Sequence, residues 1–89
     1  MNYVYILQMN NQKLYIGSTR DLQSRIKHHR QGKVNYTKPH RPLKLVYYEA
    51  YLEESDARAR EKFLKTGDGR VAIRKQLGYF LKTALIAQW

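Results

Sequence analysis

Three consecutive polar residues, Asn10-Asn11-Gln12, constrain this chain most, because they separate two short segments with the composition of β-strands. Asn2 to Met9 is rich in β-branched, aromatic and leucine residues, and Lys13 to Gly17 (Lys-Leu-Tyr-Ile-Gly) is short and apolar. Asparagine tolerates left-handed backbone geometry, so the spacing predicts a β-hairpin that reverses there. Whatever packs on that hairpin must do so without covalent help. The 89 residues include no cysteine, which rules out disulfides and cysteine-based zinc sites. A chain of this length has room for a single domain, residues 1–89, with a modest core. Its 43% hydrophobic content is that of a globular protein rather than a disordered one.

After the hairpin, Ser18 or Thr19 is the expected cap of a helix, with Asp21 favourable in its first turn. That helix should run to about Gln31 and stop at Gly32, with Leu22, Ile26 and His29 on one face. Lys33 to Pro42 is polar, basic and closed by two prolines, and reads as an exposed loop. Leu43 to Tyr51 is the most strand-like segment of all. Ser55 is the expected cap of a second helix to about Thr66, which Gly67-Asp68-Gly69 should break. A last helix is expected over roughly Val71 to Ala87, with Ile73, Leu77, Phe80, Leu81 and Ala84 as its apolar stripe. The order β-β-α-β-α-α describes a small three-stranded antiparallel sheet flanked by helices, an α+β architecture.

Charge points to the partner. Seventeen Lys and Arg against seven acids give a net charge of +10 and a pI near 10, a field that attracts polyanions and suits nucleic acid. Between Arg20 and Lys44 the excess is opposed only by Asp21. Arg20, Lys27, Arg30, Lys33, Lys38 and Arg41 are the candidate phosphate contacts in that stretch, and a solubilising surface is the alternative reading. The N-terminal Met1-Asn2-Tyr3-Val4-Tyr5 lacks the basic segment and long apolar run of a signal peptide. No apolar stretch approaches the roughly 20 residues that cross a bilayer. A cytoplasmic location without a membrane partner is the expectation.

Four places could carry chemistry. Tyr5 and Tyr15 stand on adjacent strands, so their phenols could converge on one side of the hairpin, although strand packing accounts for most of the eight tyrosines. Arg25 and His29 are one helical turn apart. His29 falls within the buried stripe and Arg25 on its margin, from where a planar guanidinium fork can reach a phosphate. A surface arginine beside a satisfied core histidine is the plainer reading. Glu61 shares the face of Ala57 and Leu64 that ought to be buried, and a carboxylate withdrawn from water needs a partner or a metal. Lys65, four residues on, is one available partner. The other is Mg²⁺, which often takes one protein oxygen and completes its shell with water and phosphate. Gly67-Asp68-Gly69-Arg70 could cradle a phosphate but reads better as a helix cap.

Taken together, Tyr3-Val4-Tyr5, then Tyr15-Ile16-Gly17, then Arg25 with His29, then Glu61 on the second helix resemble the pattern of the GIY-YIG nuclease superfamily. The resemblance covers nearly the whole chain and is closest to small stand-alone bacterial members, including the run Glu61-Lys62-Phe63-Leu64-Lys65-Thr66-Gly67. The first motif departs from the family's in reading Tyr-Val-Tyr, and no asparagine follows Asn35, where many relatives carry one beyond the glutamate.

The resemblance implies a metal-dependent endonuclease acting on DNA in preference to RNA, by shape rather than by sequence, in repair or recombination. It implies Glu61 as the ligand of one Mg²⁺ or Mn²⁺ ion that polarises the scissile phosphate and stabilises the leaving 3′-oxygen. Tyr15 would activate or orient the attacking water, with the metal and basic surroundings offsetting a phenol's ordinary pKa of about 10. Arg25 would stabilise charge on the pentavalent phosphorus, Tyr5 would help hold water or substrate, and His29 would contact phosphate or order Arg25. A non-catalytic or partner-activated nucleic-acid-binding module with the same fold is the alternative.

Overall fold

The computed structural model describes residues 1–87, with side-chain surroundings described through residue 82. Strands β1 (Asn2–Gln8) and β2 (Leu14–Thr19) form the hairpin, and α1 (Leu22–Arg30) follows. The chain then passes through a short 3-10 turn at Lys38–His40 into β3 (Lys44–Tyr51) and ends in α2 (Glu54–Leu64), α3 (Gly67–Gln76) and α4 (Gly78–Ala87). The antiparallel sheet has the order β2-β1-β3, so β3 crosses back to lie beside the first strand and β2 is left on an edge.

Alternation along β1 sorts the core into two layers. Val4 and Ile6 pack with Leu14, Ile16, Ala57, Leu64 and Ile73 on the side covered by α2 and α3. Tyr5, Leu7 and Met9 pack with Ile26 and Leu43 on the side covered by α1. The four residues Val4 to Leu7 are each no more than 1% exposed. A strand buried on both faces loses the apolar-polar alternation of a half-exposed one, which is why Val-Tyr-Ile-Leu is a continuous run.

Several boundaries differ from the expectations. Asp21, not Ser18 or Thr19, caps α1: its carboxylate accepts from the Ser24 N–H at 3.1 Å. Gly32 does end the region, taking φ 76°, a left-handed value at which a Cβ is strained. Ser55 lies inside α2, whose cap position is Glu53. The loop before β3 is not wholly exposed, since Thr37 is completely buried.

Gly67-Asp68-Gly69 is not the gap between two helices but the first turn of α3, capped by the Thr66 hydroxyl, which accepts from the Gly69 N–H at 3.1 Å. The reason is packing. A Cβ on Gly69 would lie 1.9 Å from the Phe63 carbonyl oxygen, so glycine lets α3 start directly against the end of α2. The expected long last helix is divided at Leu77 into α3 and α4. Ile73 is buried, Leu77 and Leu81 pack against its layer, and Phe80 lies under the Lys44 ammonium at 5.4 Å. Ala84 lies outside the residues whose side chains are described.

Candidate active site

The site assembles around the edge strand. Tyr5 stands opposite Gly17 in the β1-β2 register, and a Cβ at Gly17 would lie 2.5 Å from the Tyr5 hydroxyl oxygen. Only glycine leaves room for the phenol to lie across β2. This is the physical content of the glycine in Tyr15-Ile16-Gly17.

Behind the phenol runs a chain of hydrogen bonds whose direction the donors decide. Thr37 Oγ1 is 2.8 Å from His29 Nδ1 and donates, over a longer 3.5 Å, to the Val34 carbonyl. With the Thr37 proton on the Val34 carbonyl, Nδ1–H donates to Thr37 and Nε2 accepts from the Tyr5 hydroxyl at 2.8 Å. The phenol oxygen then accepts from Arg25 Nε at 3.3 Å. His29 is completely buried and Tyr5 is 1% exposed, so neither ring offers a face to a substrate. The Tyr5 hydroxyl bonds to both His29 and Arg25 and so links them.

Burial sets the protonation of this chain. It pushes the Tyr5 phenol up to about 12, against the pull of Arg25. It pushes the His29 imidazole down to about 4, assisted by the Arg25 charge. Passing the phenol proton to the imidazole is therefore strongly uphill. The pair is a rigid neutral support for Arg25 rather than a proton store.

On the opposite face of β2, Ser18 points toward α2 and donates to Glu61 Oε1, while Lys65 Nζ lies 2.6 Å from Glu61 Oε2. Burial raises the Glu61 carboxyl, but Lys65 and Ser18 together outweigh it and hold the group below the usual carboxylate range. Among the described residues no group of three or more His, Cys, Asp or Glu side chains could cage an ion. The donor set therefore fits only a hard cation that takes one carboxylate and fills its shell with water and phosphate, provided the Lys65 ammonium swings aside.

Tyr15 lies at the edge on the α1 side, packed with the Tyr5 layer. Its ring centroid is 5.1 Å from that of His29, 6.3 Å from that of Tyr5 and 5.7 Å from that of the exposed Tyr36. Beside it runs a cleft of about 310 Å³ lined by Leu14, Tyr15, Ile16, Tyr36, Lys65 and Arg70. Sequence reasoning does not single out Ser18 and Thr37 as site residues or Tyr36 as a cleft residue; it meets Arg70 only at the end of a candidate phosphate-cradling turn and Lys65 only as an ion-pair partner. Tyr36 and Thr37 carried no periodic signal, being in a loop.

Most of the basic residues singled out from charge are placed elsewhere, although Arg20 lines a hollow with Ser18. Arg20 is paired with Glu54 at 2.9 Å. Arg41 donates to the Lys38 and Arg30 carbonyls, tying the loop to the end of α1. Arg30, Lys38 and Arg41 share a separate hollow of about 560 Å³, and Lys27 and Lys33 are exposed.

The GIY-YIG catalytic domain model matches residues 1–72. A UPF0213 protein of Clostridium perfringens is 44% identical over 66 residues, covering 73% of this chain and 71% of its own. One from Staphylococcus epidermidis is 42% identical over the same length, covering 73% and 80%. The solution structure of a UPF0213 protein from Bacillus halodurans superposes with a TM-score of 0.57 at 33% identity, covering 96% of this chain and 97% of that one. With the matched region holding both tyrosine motifs, Arg25, His29 and Glu61, this chain belongs to the GIY-YIG family.

Proposed function

We propose that the chain is a metal-dependent nuclease that hydrolyses phosphodiester bonds in DNA, selecting its substrate by shape rather than by sequence and serving repair or recombination. One observation carries the reading. A supported arginine on one face of β2 and an ionised, half-buried carboxylate on the other flank the same exposed strand edge. Structural support alone would not need opposite charges on either side of a free edge.

In this reading the scissile phosphate lies along β2. Catalytic domains of this family are generally dependent on a divalent metal; Glu61 would hold Mg²⁺ or Mn²⁺, which would supply positive charge against the phosphate and the leaving 3′-oxygen. Arg25 neutralises the charge that grows on the equatorial phosphate oxygens, a contribution of about 3 kcal/mol where the donor is well aimed. Tyr5 and His29 hold that aim, each locked by the next member of the chain. Tyr15, the more accessible phenol, holds and activates the attacking water. Water adds to phosphorus and loses a proton, the P–O3′ bond breaks, and the 3′-oxygen gains a proton. Lys65 neutralises Glu61 and would give way to an ion held there.

The test is cleavage of labelled single-stranded, duplex, nicked, flap and branched DNA with Mg²⁺, Mn²⁺ or EDTA, beside the Glu61→Gln protein. Metal-dependent cutting that disappears in the variant supports the nuclease and identifies its preferred shape. Binding of all substrates with no cutting would overturn catalysis by the chain alone and favour a non-catalytic or partner-activated module.

A further inference from the structure

The cleft beside Tyr15 holds three side chains that the catalytic reading leaves without a substrate role: Tyr36, Lys65 and Arg70. Tyr36 exposes 64% of its surface, yet it is held in place. Its ring packs on Tyr15 at 5.7 Å and on His40 at 6.1 Å. Its neighbour Thr37 is completely buried and hydrogen-bonded to His29. An accessible aromatic ring, anchored by the next residue to the supporting chain of the site, is pre-organised for stacking and loses little freedom when a ligand arrives. On the other side of the cleft stand two cations, Arg70 in α3 and, beside it, Lys65 at the C-terminal end of α2, whose ammonium pairs with Glu61, so that Arg70 is the principal phosphate contact.

A ring and two cations across a cleft of nucleotide size match one ligand chemistry: a base on the aromatic face and a phosphate on the cations. A base inside a duplex has both faces covered by its neighbours, so the ring can take only one that has left the stack. From this arrangement we infer that Tyr36, with Lys65 and Arg70, forms a subsite for an unpaired nucleotide of the DNA strand, adjoining the position of the scissile phosphate. The inference rests on the nuclease reading for its place beside the reaction, but binding at the subsite requires no cleavage. It assigns the shape preference to a particular contact: the enzyme favours strands with an unpaired nucleotide at the edge of β2.

The deciding experiment measures fluorescence anisotropy in EDTA with the full chain. The probes are oligo(dT), a strand of the same length made of abasic residues, and a blunt duplex. Replacing Tyr36 by leucine keeps apolar bulk but removes the π-face, and should weaken oligo(dT) binding by about tenfold. Binding of the abasic strand and the duplex should stay unchanged. Tyr36→Phe should retain wild-type affinity for oligo(dT), and Arg70→Gln should weaken oligo(dT) and the abasic strand alike. Equal loss on oligo(dT) and the abasic strand in Tyr36→Leu, or no loss on either, would overturn the stacking subsite while leaving the nuclease reading intact. Wild-type binding to the duplex alone would do the same. Failure of the wild type to bind any of the three would overturn both.

Discussion

Two glutamates on the same side of the sheet differ in a way that separates structure from site. Glu49 on β3 and Glu61 on α2 have similar side-chain exposure, 15% and 21%, and each has a cation beside it. Glu49 is saturated. Its oxygens meet the Arg60 guanidinium as a two-pronged fork at 3.0 and 3.1 Å, and accept from the Tyr47 and Tyr51 hydroxyls at 2.7 Å each. Tyr47 is itself held by Gln76 at 2.9 Å, so the cluster ties β3 to α2 and α3. Glu61 has one hydroxyl and one flexible ammonium whose side chain is 50% exposed. The first carboxylate has no capacity left for a ligand; the second keeps some, and its partner can leave. Burial does not distinguish them. The number and rigidity of their partners does.

Exchanging each carboxylate for its amide should separate the two roles. Glu61→Gln should lower metal-dependent cleavage by about 1,000-fold or more while the melting temperature stays close to wild type. Cleavage at the wild-type rate would remove Glu61 from the mechanism. Arg25→Ala should follow, with kcat down about 100-fold at saturating DNA; a change in KM alone would make it a binding residue. Glu49→Gln should do the reverse. Breaking the fork and leaving Arg60 unpaired should cost about 2 kcal/mol, lowering Tm by roughly 10 °C in a chain of this size. Cleavage per folded molecule should be unchanged. If Glu49→Gln abolished cleavage without loss of stability, the contrast between the two acids would collapse.

Acid should probe the supporting chain before it reaches the fork. His29 has a folded pKa of about 4 against an ordinary 6.5. Its stabilising contribution is complete above pH 6.5 and is lost as pH falls toward 4. Burial raises the Glu49 carboxyl, but Arg60 and the two phenols outweigh it. Its contribution is therefore present above the ordinary carboxylate range and lost only at lower pH. Thermal melts should show Tm falling through the histidine window, and a His29→Asn protein, less stable at neutral pH, should show a flatter slope there. Parallel slopes would locate the titration at another group. The smallest effect is expected for Thr37→Val, which removes one hydroxyl from a buried chain and frees the His29 tautomer. It should cost about 1 kcal/mol of stability and a few-fold in kcat, with KM unchanged; a shift in KM alone would argue against a positioning role.

The local chemistry of the residues was enough to determine the hairpin, the positions of the strand-like segments and the charged candidates. Asn10-Asn11-Gln12 marks a reversal because polar turn residues interrupt two strand-like runs, although it is Gln12 (φ 70°) and neither asparagine that takes the left-handed backbone. Leu22, Ile26 and His29 share a face because the helical repeat puts them there. Glu61 stood out because an acid on an apolar face is costly wherever the helix packs. Each of these signals involves residues within about one turn or one hairpin of each other. The residues missed were those whose role depends on distant partners. Thr37 reaches His29 only because the loop folds back under α1, and no periodic pattern in Lys33 to Pro42 encodes that return. Tyr36 follows it to Tyr15, and Arg70 arrives at the same cleft from α3. Local propensity was overruled at Gly67-Asp68-Gly69, where close packing of α3 on the end of α2 outweighs the preference of glycine for breaking helices. The sequence by itself determined a basic hairpin-led α+β chain carrying Tyr5, Tyr15, Arg25, His29 and Glu61. Only the tertiary structure decided that Glu61 and Arg25 lie on opposite faces of one exposed edge and that Glu49 is closed while Glu61 is open. The physical reason is that strand order and loop closure depend on contacts across the whole chain, which no short window of residues contains.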